Sequence, residues 1–183
     1  MTILKRVAIV IGSAITYCLF FYLNKLFFDS LEFSYGTNWI FIPSGIQLLI
    51  VLIAAKEGAL GIVLSTFIIG LENYVLDSVL YTFITALIAG SSPLLARKIC
   101  LDYLGIEKEL ENITFKDILK ISFIFSVLSA CLHQVWFSYI GKSTSFIQSL
   151  FVMAVGNLIG TTLVLFTLSL ATSKLKNNNS SRN

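Results

Sequence analysis

Five polar side chains stand within or beside long apolar runs of this chain, where hydrocarbon offers them no partner. Gln47 lies midway along one run and Asn157 midway along another. His133, followed by Gln134, lies toward one end of a third, and Glu72 and Asp77 flank a turn between two more. Amides, an imidazole and carboxylates gathered at one end of a helical bundle can line a pocket for a polar ligand. Gln47, Glu72, Asp77, His133 and Asn157 are therefore the candidate ligand-binding residues. Each also has a plainer use. Gln47 and Asn157 can hydrogen-bond between helices, Glu72, Asn73 and Asp77 can be solvated at a turn, and His133 can be satisfied inside the bundle rather than titrate as a switch.

Other chemistry is not expected. No glycine-rich phosphate loop, nucleophile elbow or cysteine–histidine pairing is present, so the chain does not read as an enzyme. One histidine leaves no multi-histidine metal site, and Cys18, Cys100 and Cys131 are isolated, without zinc or disulfide spacing. No cofactor is implied. The basic residues are juxtamembrane and not interleaved with aromatics, which argues against nucleic acid as a partner.

The elements that must position these residues follow from composition. Of 183 residues, 56% are hydrophobic and 13% charged, about half the charge of a soluble domain. A bilayer core about 30 Å thick takes about 20 apolar residues as helix. Six segments qualify to different degrees: 7–28, 39–55, 58–74, 75–96, 118–140 and 146–171. The first is too long for a signal peptide and is expected to be retained. The third is short and glycine-rich, separated from the fourth by only Glu72 and Asn73; a helix pair and a re-entrant hairpin both fit. The expected fold is an all-α, six-helix membrane bundle, one transmembrane domain over 1–173 with a disordered cytoplasmic tail over 174–183. Its first partner is the lipid bilayer.

Charge tests the alternation, because Lys and Arg concentrate on the cytoplasmic side. With the N-terminus inside, the inner groups are Lys5, Arg6, Lys56, Arg97, Lys98, Lys108, Lys116, Lys120, Lys174, Lys176 and Arg182. Only Lys25 and Lys142 fall outside, so 11 of the 13 cations are inner. Both termini are then cytoplasmic, in a bacterial inner membrane. The largest inner loop carries an amphipathic stretch, Ile106-Glu107-Lys108-Glu109-Leu110, and Thr114-Phe115-Lys116-Asp117 resembles a capping box with Asp in place of Glu.

Small residues mark close contacts. Pro43-Ser44-Gly45 either kinks a membrane helix near its outer end or simply begins it. Gly156 and Gly160 are spaced for helix packing, as are Ala8 and Gly12 on the first segment. The Ala8/Gly12 face serves either packing within the chain or docking of a partner subunit.

Several of these stretches resemble one family. Phe41-Ile42-Pro43-Ser44-Gly45, Lys56-Glu57-Gly58-Ala59-Leu60-Gly61, Ile69-Gly70-Leu71-Glu72-Asn73 and Val155-Gly156-Asn157-Leu158-Ile159-Gly160 look like the ordered motifs of the bacterial membrane-associated sensor family (MASE, first type). The chain departs from that pattern: Phe41 occupies the usual tryptophan position, Asn157 the usual aspartate, and the proline after the last motif is missing. Family members commonly have about eight spans and precede a kinase or cyclase, so the resemblance implies a reduced sensor whose output lies in a partner. The small six-helix plan with Ala8 and Gly12 on its first helix is also similar to the S subunits of energy-coupling-factor vitamin transporters. Three functions are thus expected in turn: an integral membrane sensor that binds a small ligand or senses the membrane and signals to a cytoplasmic partner; a substrate-binding transport subunit; and a non-catalytic assembly factor.

Overall fold

The computed structural model describes residues 1–73, 78–103, 114–143 and 145–180, with the backbone alone described at 73 and over 171–180. Asp77, the 106–110 stretch and residues 181–183 lie outside the described residues. Among the described residues the protein has five α-helices: α1 (Ile3–Phe28), α2 (Ile42–Asn73), α3 (Val79–Tyr103), α4 (Phe115–Tyr139) and α5 (Phe146–Ser180). After α1, one 3-10 turn leads into a short antiparallel hairpin, β1 (Glu32–Ser34) and β2 (Thr37–Asn38), with Gly36 at φ +61° in its bend. All five helices are long and apolar enough to cross a membrane.

Hydropathy separates residues 39–55 from 58–74, yet 42–55 and 58–73 both belong to α2. A single residue interrupts it, Ala55, at φ 46° and ψ −119°. The interruption reverses the chain. A Cβ on Gly58 would stand 2.8 Å from the Ile50 carbonyl oxygen, whereas eight residues of straight helix span roughly 12 Å. The arms 42–54 and 56–73 thus pack side by side, and Lys56 and Glu57 need no loop beyond the break.

The remaining helices follow by contact. The second arm runs parallel to α1: Arg6 Nε lies 3.7 Å from Glu57 Oε1, Gly61 is pressed against Val10 and Ser13, and the Tyr22 hydroxyl donates to Glu72. α3 returns alongside, with Gly70 against Thr82 and Gly90 against Ala59 and Val63. α4 is antiparallel to α3, joined by Trp136 Nε1 donating to Thr85 Oγ1 at 2.9 Å. α4 starts on a true capping box, Thr114 Oγ1 accepting from the Asp117 N–H and Asp117 accepting from the Thr114 N–H. Asp thus does the work usually given to Glu.

Other boundaries shift from those expected. α3 starts at Val79, not 75, and runs past Arg97 and Lys98 to Tyr103, because long cationic side chains can reach outward without ending a helix. α5 continues as helix to Ser180 where a disordered tail was expected from 174. Adding residues to a formed helix costs little, and Lys and Leu favour it.

The burial pattern is inverted relative to a water-soluble bundle. Ser44, Gln47, Ser92, Ser122, Ser126, Gln134 and Thr161 are buried, while Ile11, Ile15, Leu19, Leu64, Phe83, Phe123 and Phe151 are exposed. Inside, one apolar cluster joins Leu48, Leu52, Ala96, Ile121, Phe125 and Leu165. Another joins Tyr17, Val51, Ile62, Ile69 and Ala89.

Candidate functional site

The site begins where extended backbone lies directly on a helix. Residues 38–41 cross α5 at Gly156 and Gly160, and the Phe41 N–H donates to the Gly156 carbonyl at 3.3 Å. A methyl group on Gly156 would collide with the Asn38 carbonyl, and one on Gly160 with that of Phe41. One on Gly45 would stand 2.5 Å from the Gly160 carbonyl. Three glycines therefore meet at one crossing, each because a backbone atom occupies the place of its missing side chain. Pro43 stands at the second residue of α2, where its absent N–H leaves nothing unpaired. It begins the helix; the break in α2 lies at Ala55 instead.

Side chains fasten this crossing. Ser44 Oγ lies 2.7 Å from the Phe41 carbonyl and 3.0 Å from that of Asn157. From α1, buried Asn24 accepts the Ile42 N–H at 2.9 Å and donates to the Ile40 carbonyl at 3.4 Å. From α4, Gln134 donates to Thr37 Oγ1 at 2.9 Å and holds the hairpin down.

Beneath the hairpin lies a cavity of about 110 Å³. Phe21, Tyr35, Phe41 and Phe137 give it aromatic walls, and Gln47, Thr66, His133 and Asn157 contribute polar groups. Gln47 Nε2 donates to the Ala89 carbonyl, which fixes the amide and leaves Oε1 as an acceptor. His133 Nδ1 lies 2.8 Å from the Ser129 carbonyl, a contact that requires a proton on Nδ1. A second cavity of about 340 Å³ shares Phe21, Gly36, Asn38 and Phe41 with the first and adds Asn24, Lys25, Asp29 and Glu32. It is a charged antechamber, and the edge-to-face pair Phe21–Phe41, ring centroids 6.4 Å apart, lines both cavities.

The candidate residues thus divide. Gln47, His133 and Asn157 come from three helices to one cavity. Glu72 is exposed, pairs with Tyr22 and does not line it. Asp77 is not described. Ala8 and Gly12 lie exposed on α1, and a Cβ on Gly12 would meet nothing within 4 Å. Sequence reasoning missed Asn24, Thr66 and the hairpin residues Tyr35, Gly36 and Asn38. Asn24 carried a signal, an amide inside an apolar run; the hairpin carried none in hydropathy, because it crosses no lipid.

Comparison with protein-family models, with curated proteins and with solved structures finds no match.

Proposed function

We propose that this chain is a multi-pass protein of a bacterial inner membrane that binds a small molecule in the cavity beneath its hairpin and signals occupancy to a cytoplasmic partner. On this reading α2 crosses twice by reversing at Ala55. The chain then makes six crossings, with both ends inside. The positive charge at Lys5, Arg6, Lys56, Arg97 and Lys98 supports that orientation. The hairpin, the antechamber and the inner cavity then face outward.

The observation that carries the proposal is the convergence of Gln47, His133 and Asn157 on an internal cavity with aromatic walls. Buried polar groups cost stability unless they are partnered. Gln47 and His133 each bond one carbonyl and keep a second polar atom, Oε1 and Nε2, for another partner. The sensor resemblance of the segments around Pro43 and Asn157 supports signalling as the output. Native mass spectrometry of the full chain, purified in mild detergent, tests the proposal. A small molecule should accompany wild type and be lost in Asn157→Leu; a bare chain in both would refute it.

The transport-subunit reading has one observation in its favour, the uncovered Ala8/Gly12 face of α1. If that face docks a membrane partner, Gly12→Leu will abolish co-purification of that partner while leaving ligand binding intact. An unchanged complex removes this alternative.

A further inference from the structure

Among the described residues, no side chain lining the inner cavity is a carboxylate, an ammonium or a guanidinium. Lys25, Asp29 and Glu32 line the antechamber instead. A charged ligand entering the inner cavity would lose its hydration and find no counter-charge among these residues, a cost that disfavours it. The polar groups that remain open are specific. Gln47 presents its Oε1, because its Nε2 is held by the Ala89 carbonyl. With Nδ1 donating to Ser129, a neutral His133 ring offers Nε2 as a second acceptor. Asn157, 5% exposed, lines the cavity as well. Two fixed acceptors and an asparagine therefore stand between flat aromatic walls.

We infer that the cavity takes an uncharged, planar heteroaromatic molecule of one small ring that carries a ring N–H. The N–H answers the acceptors of Gln47 and His133, a second ring nitrogen answers Asn157, and the ring packs against Phe21, Phe41 and Phe137. At about 110 Å³ the cavity is smaller than the about 150 Å³ that admits benzene, so a five-membered ring is the size it takes. This assignment rests on reading the cavity as a ligand site and names the ligand's class.

The test uses the full chain in lipid nanodiscs at pH 8 and four probes: pyrazole, 1-methylpyrazole, cyclopentene and pyrazole-4-carboxylate. Binding is read as saturable thermal stabilisation. Pyrazole is expected to bind, the methylated and hydrocarbon analogues about tenfold or more weakly, as for loss of a buried hydrogen bond, and the carboxylate not at all. Gln47→Leu should erase the preference for pyrazole over its methylated form. His133→Phe, which removes the other acceptor, should do the same and serves if Gln47→Leu does not fold. Equal binding of the methylated probe, preference for the carboxylate, or no binding of any probe overturns the class. Failure of the ligand-site reading is a different result: no small molecule in the mass spectrum of wild type that Asn157→Leu lacks.

Discussion

A glycine at the crossing of residues 38–41 over α5 does work that no other residue can do. At Gly156 and Gly160 an added methyl meets backbone carbonyls, which cannot rotate aside as a side chain end can. Gly156→Ala should therefore lower stability in detergent melts by about 1–3 kcal/mol, the usual cost of overpacking. Gly12→Ala is the matched control. Its Cβ enters open space, and alanine favours helix over glycine by about 1 kcal/mol, so it should melt at or above wild type. Equal losses in both variants would mean that the crossing is not the constraint. At this scale the sequence was informative in part. The spacing of Gly156 and Gly160 announced a close contact, but not that its partner is extended backbone rather than a helix. Gln47, His133 and Asn157 were legible because an amide or imidazole is rare in an apolar run. Thr66 was not, since a threonine in a membrane helix usually bonds its own backbone.

Among the elements, α2 departs most from what hydropathy suggests. Lys56 and Glu57 mark a polar interruption, and an interruption reads as a loop. The chain instead reverses through Ala55, whose φ of 46° and ψ of −119° match the first central position of a type II′ turn, where glycine is preferred. Ala55→Gly should relieve the strain and raise stability by about 1 kcal/mol, measured by thermal melting. A loss of stability would show that the reversal is not held in this conformation. The start of α4 was legible to the residue, because a capping box is local chemistry. The hairpin at 32–38 was not. Its hold on the bundle comes from Gln134 and from Phe137, whose ring stands edge-on to Tyr35 at 5.1 Å, and both are about a hundred residues away in sequence.

For the whole molecule, the inverted burial pattern joins fold to function. Apolar side chains such as Ile15, Leu64 and Phe123 face outward while serines and amides face inward, the arrangement that suits a hydrocarbon surrounding. Composition alone foretold the helical, lipid-matched character of the chain. It could not foretell which polar groups share a cavity, because that depends on the reversal in α2 that brings Gln47 beside α3. The orientation of the cavity depends on the same reversal. In a chain whose cysteines at 18, 100 and 131 are replaced, Lys56→Cys and Lys142→Cys can each be exposed to a membrane-impermeant maleimide on intact cells. Labelling of Lys142→Cys from outside, with Lys56→Cys reacting only after lysis, is the expected result. Labelling of Lys56→Cys from outside would mean that α2 does not turn back at the inner face, and the outward-facing cavity would be contradicted.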